Sequence, residues 1–150
     1  MFTNSMNSDI KSPVLGVGTV VIRHNTVLLI KCNQGPKKGI WSIPIGPHRM
    51  GETLQQAVER ETLAMTGMKV KGGRPVYNHD LIERGEDGGV LQHYLIIYLA
   101  AEYLSGNPVP GAEAEDVAWV SVEAMEFMDI DEEALLLLEA LEFLELADDE

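Results

Sequence analysis

The chain has 150 residues, one cysteine and a formal net charge of −13, a length that suits one domain with its own apolar core. Cys32 alone excludes an intramolecular disulfide and fits a reducing cytoplasm. All 11 lysines and arginines lie between Lys11 and Arg84, so every Asp, Glu, Lys or Arg from Gly85 onward is acidic and the chain is a poor partner for a nucleic acid polymer.

The first residues, MFTNSMNSD, lack the basic and apolar regions of a signal peptide. Residues 1–12 therefore read as a disordered lead-in, 13–147 as a single domain and 148–150 as an acidic tail. No apolar run is long enough to span a bilayer, which argues against a membrane partner. Val14 to Ile22 has the composition of a strand, and His24-Asn25 makes a tight turn into a second strand, Thr26 to Lys31; together they predict a hairpin. Gly16 and Gly18 lack the third glycine and the following helix of a dinucleotide loop, and mark a bulge or a close backbone approach instead. Asn33 to Gly39 is a polar loop carrying Lys37 and Lys38, without the Gly-Lys-Ser/Thr ending of a phosphate-binding loop.

The stretch from Trp41 to Met68 organises the rest. Pro44-Ile45-Gly46-Pro47 is a sharp bend and Gly51 a second; Thr53 with Gln56 three residues on is a capping box, opening a helix that Gly67 closes. Leu54, Ala57, Val58, Glu61, Met65 and Met68 share one side of that helix, and Glu61 is the only charge among them. A carboxylate among apolar neighbours is costly unless it is paired or binds a cation. Arg60 and the Gly51-Glu52 turn are its nearest partners in sequence, while Lys37, Lys38 and Arg49 flank the stretch and offer charge to a small phosphate ligand.

Beyond Gly67, extended patches surround Val76-Tyr77 and Leu81-Ile82, broken at Gly72-Gly73 and Pro75. Asp87-Gly88-Gly89 then turns into a long apolar strand, Val90 to Leu104. A loop, Ser105 to Gly111, leads to a strand at Ala114 to Val120; Ser121 caps a short helix through Phe127, and Asp131 to Leu146 is a leucine-rich helix whose leucines, wider than one core stripe needs, are read first as packed within the chain, with a homodimer surface as the alternative. Hairpin strands with interspersed helices indicate a mixed-sheet α/β or α+β domain.

Gly46, Glu52, Arg60, Glu61, Gly67 and Met68 match a spaced signature: glycine, five residues, glutamate, seven residues, then Arg-Glu-apolar-x-Glu-Glu-x-Gly-apolar. Trp41 and Pro44 before it and Ala118-Trp119-Val120 after it fit the same pattern. In these residues the sequence resembles the Nudix hydrolase family. The resemblance implies an α/β/α sandwich around a mixed β-sheet, and hydrolysis of a nucleoside diphosphate linked to another moiety. It also implies Mg²⁺ or Mn²⁺ on the helix carboxylates, a catalytic and metal role for Glu61 beside Arg60, and ligand contacts near Gly46 and Glu52. An acid from the loop before the Ala118-Trp119-Val120 strand often contributes in this family, and Glu113, Glu115 and Asp116 occupy that loop.

The match fails where the chemistry sits. The two adjacent glutamates are Ala64 and Met65, a glycine between Pro44 and Gly46 is Ile45, and Arg49 stands where an acid is often found. This predicts a Nudix-fold protein that binds a nucleotide-type, ADP-ribose-like small molecule while holding metal weakly or not at all, with diphosphate hydrolysis weak or lost. Two alternatives stand beside it: an active Mg²⁺-dependent hydrolase that recruits Glu113 or Glu115, and a non-enzymatic dimeric sensor.

Overall fold

The computed structural model describes residues 12–111 and 113–144. Strand β3 spans Thr26–Cys32, and four of its consecutive residues, Val27 to Ile30, are each at most 4% exposed. Successive strand side chains point to opposite faces, so a run buried throughout must have cover on both. Leu28 and Ile30 pack into one core with Ala57, Val58 and Met65, while Val27 and Leu29 pack into another with Leu137 and Leu138. The strands thus form the middle layer between α1 (Leu54–Thr66) on one side and α2 (Val122–Met125) and α3 (Glu132–Ala140) on the other, an α/β/α arrangement.

The middle layer consists of two sheets. One runs β5 (Ile45–Pro47), β1 (Val14–Val20), β7 (Val90–Ser105), β6 (Lys69–Arg84), with β1 parallel to β7 and the other pairs antiparallel. In the other, β3 pairs with β2 (Ile22–Arg23) and β4 (Trp41–Ser42) along one edge and with β8 (Ala114–Ser121) along the opposite one.

Several sequence expectations are corrected. The first hairpin is only the two-residue β2 joined to β3, with His24 and Asn25 at φ 51 and 60; β1 departs at Val21 into the other sheet, where β7 buries it. The proline-flanked segment Ile45–Pro47 is a short strand against Gly16–Gly18 as well as a bend, because proline's fixed φ is compatible with extended backbone. β6 continues through Gly72–Pro75, since shifts of pairing with β7 absorb the proline on an edge strand. The last helix ends at Ala140, before a left-handed Glu142 at φ 63, and of its four leucines only Leu136, at 53%, is exposed. Its leucines therefore serve mainly the internal core. The expected lead-in lies outside the described residues except for Ser12, as do the acidic tail and residues 145–146 of the expected helix. Among the described residues no helix is long and apolar enough to cross a membrane.

Candidate functional site

The capping box at the start of α1 forms as expected: Thr53 Oγ1 accepts from Gln56 N at 3.1 Å and Gln56 Oε1 from Thr53 N at 2.9 Å. Gly67, at φ 75, closes the helix with its N–H on the Leu63 carbonyl. The fully buried Thr62 fixes the helix to the sheet by donating to Thr19 Oγ1 at 2.7 Å, while the equally buried Thr66 is satisfied within the helix, donating to the Thr62 carbonyl at 2.6 Å. With α1 pinned on this side, Glu61 meets β5 at its one glycine. A Cβ on Gly46 would overlap the Glu61 carboxylate and lie 2.7 Å from its Cγ, which is why the strand carries glycine there.

Arg60 holds this corner together. Its Nε and Nη2 donate to the two Glu52 carboxylate oxygens at 2.6 and 2.8 Å, Nη1 donates to Glu61 Oε1 at 2.5 Å, and Nη2 also reaches the Pro47 carbonyl at 2.9 Å. The Arg49 N–H adds a hydrogen bond to Glu52 Oε1, and the His48 ring contacts the Glu52 carbonyl at 2.7 Å, so the loop from Pro47 to Glu52 is tied to the helix. Charge-assisted, forked contacts of this kind are the strong class of side-chain hydrogen bond.

The Arg60 hydrogen bond, helped by the Arg49 N–H and both positive charges, holds the Glu52 carboxyl down at about 2 against an ordinary 4.5. A lowered carboxyl pKa stabilises the fold above the unfolded value and loses that contribution as pH falls through the folded value. The melting-temperature difference between the parent and Glu52→Gln is therefore expected to be full above pH ~4.5 and to shrink toward pH ~2; a difference that stays constant over that range would contradict the pairing.

The other expected site residues lie elsewhere. A cleft of about 390 Å³ between the two sheets is lined by Gln34, Lys37, Ser42, Met65 and Glu113, with Cys32 and several aliphatic side chains. Lys37 Nζ sits 2.5 Å from Asp131 Oδ1, and Gln34 Nε2 is 3.4 Å from Glu113 Oε1. Glu113 adopts φ 64, a left-handed conformation uncommon outside glycine. Glu115 instead pairs with Lys31 at 3.1 Å on the surface, and Arg49 and Lys38 are exposed. The structure thus unites Gly46, Glu52, Arg60 and Glu61 in one corner and Lys37 with Glu113 in the cleft. Gln34 and Ser42 were not singled out in the sequence; nothing in their local pattern distinguishes them, because the cleft is assembled from distant loops and strand ends.

A family model described as NUDIX domain matches residues 12–141. The chain belongs to the NUDIX family. It is 28% identical over 127 residues to the ADP-ribose pyrophosphatase of Methanocaldococcus jannaschii, covering 83% of this chain and 71% of that protein. Among solved structures, a NUDIX hydrolase from Nitrosomonas europaea superposes with a TM-score of 0.74 at 23% identity, over 92% of this chain and 74% of that one. The NUDIX domain of Shewanella oneidensis NrtR, complexed with ADP ribose, gives 0.70 at 19% identity, over 94% and 97%. Likenesses at these identities establish the fold.

Within this NUDIX chain, the signature positions that lack glutamate are an exposed Ala64 and a Met65 that is 2% exposed. Among the described residues no three His, Cys, Asp or Glu side chains are grouped so as to hold a metal ion. Glu61 and Glu52 both accept from Arg60, so a divalent cation would compete with the guanidinium for the same oxygens. The residues present do not fit a multi-carboxylate metal centre.

Proposed function

We propose that this NUDIX-family chain binds a nucleoside-diphosphate-linked small molecule, nucleotide-like or ADP-ribose-like, with diphosphate hydrolysis weak or lost. The observation that carries the reading is the pair Ala64 and Met65, one side chain too short to ligate and the other packed in the core. The mixed polar and apolar lining of the cleft, with Lys37, Gln34 and Ser42, supports binding of such a ligand. Two relatives support its class, since one is named for ADP-ribose and the other was solved with it. An ion pair at ~4 Å is worth about 4 kcal/mol at an effective dielectric of ~20, and each ~1.4 kcal/mol is tenfold in affinity. Two missing carboxylates therefore remove most of the affinity for Mg²⁺ or Mn²⁺. We read residues 13–147 as one domain and place the protein in the cytoplasm, on the strength of its lone Cys32.

The test is calorimetry and product analysis with ADP-ribose, NADH, dinucleoside polyphosphates and nucleoside triphosphates, each with Mg²⁺ or Mn²⁺. Binding without turnover of ordinary size is expected. Ordinary turnover that Glu61→Gln abolishes would overturn the proposal. The second reading, an active hydrolase with replaced ligands, draws on Glu113, the acid that faces the cleft with Met65. It requires that Glu113→Gln remove a metal-dependent activity the parent possesses.

A further inference from the structure

We infer that the ligand carries an uncharged apolar group on its diphosphate, and that this group is received by a hollow beside the cleft. The inference narrows the binding reading above and rests on it. The hollow, about 240 Å³, lies on the β5-β1-β7-β6 sheet and is bounded by Val14, Gly16, Ile45, Pro47, Leu81 and Tyr94 among others. Further along the sheet, α3 and its core cover Tyr98, whereas Val14 and Leu81 remain 52% and 43% exposed. Among the described residues no charged side chain lines the hollow. Among the described residues at its wall the one side-chain polar group is the Tyr94 hydroxyl, which already donates to Gln92 Oε1 at 2.7 Å.

The hollow and the cleft share Ile45, Leu81 and Ile96, so they form one continuous groove. Its two parts, 390 and 240 Å³, fall together within the ~300–1,000 Å³ of small-molecule sites. One part is lined by the polar side chains of Gln34, Lys37, Ser42 and Glu113; the other, apart from the engaged Tyr94 hydroxyl, is lined by carbon-bearing side chains. A ribose or a second phosphate placed in the hollow would lose its hydration with nothing to replace it, whereas a prenyl or alkyl chain gains by leaving water. Glycine at position 16 keeps the floor low. A Cβ there would stand 3.5 Å from Ile96 Cγ1 and 3.4 Å from the Gly46 carbonyl, at ordinary contact distance, so the backbone accepts a Cβ that begins to fill the space.

The full chain is titrated by calorimetry with ADP, ADP-ribose and the geranyl ester of ADP, as the parent and as Val14→Glu and Gly16→Val. Val14 is exposed, so its replacement leaves the fold intact. The geranyl ester is expected to bind at least tenfold more tightly than ADP, and both variants are expected to erase that gain while leaving ADP affinity within twofold. A gain that survives both variants overturns the inference, as does ADP-ribose binding more tightly than the ester. A dimer that Val14→Glu dissociates without changing ligand affinity also overturns it, since a second copy would then cover the hollow. ADP binding with no gain from the chain defeats this inference alone; no binding by any of the three defeats the nucleotide reading as well.

Discussion

Met65→Glu is expected to cost about 3 kcal/mol or more and to lower Tm by roughly 10 °C. The thioether is 2% exposed and packs in the core that holds Val58, Met68 and Leu99. A carboxylate there loses its hydration, and the acid nearest on the cleft wall is Glu113, of the same sign. Ala64→Glu, at an exposed position, is expected to change Tm by no more than a degree or two. Thermal melts with and without Mg²⁺ separate the terms. If the Ala64→Glu/Met65→Glu double variant regains metal binding, Mg²⁺ raises its Tm and leaves Ala64→Glu unmoved. A Met65→Glu protein melting within about 2 °C of the parent would show that residue 65 can turn its side chain to water.

Gly18→Ala is expected to destabilise by about 1–3 kcal/mol through overpacking. A Cβ at that position would overlap the ring of Tyr98, with Cε2 at 2.6 Å. The ring cannot withdraw easily: Tyr98 is 2% exposed and packs edge-on against Tyr77, with centroids 5.8 Å apart. Urea denaturation of Gly18→Ala, Tyr98→Leu and the double variant checks the contact. The double is expected to lose less than the two singles together, because the clash disappears with the ring. Strictly additive losses would mean that the two residues do not meet.

The same glycine shows what the chain disclosed before folding. That Gly18 permits close approach could be read from a glycine inside a strand, but the identity of the approaching group could not, since Tyr98 comes from a parallel strand far away in sequence. The α1 caps were readable because they are local: Thr53, Gln56 and Gly67 act within a few residues of one another. Arg60 and Glu61 were visible as neighbours, and their spacing identified the family. The forked contact to Glu52, eight residues earlier, needed the loop to fold back. Least legible were the division of the first two strands between sheets and the cleft itself, both set by pairing across the whole chain. For the same reason Glu113 and Glu115, equivalent in the sequence, part company in the structure, one at the cleft and one on Lys31.

The two-sided burial of β3 has a cost in folding. Hydrophobic pattern normally prevents a strand from slipping by one residue, because slippage turns its apolar face to water. In Val27 to Ile30 both faces are apolar, so a misaligned β3 would still bury aliphatic carbon on either side. Alignment must then be enforced from the ends, by the left-handed pair His24-Asn25 and by the irregular pairing at Lys31/Cys32 opposite β8. A few residues with little core of their own thus decide whether the central strand is threaded correctly or trapped one position out of place.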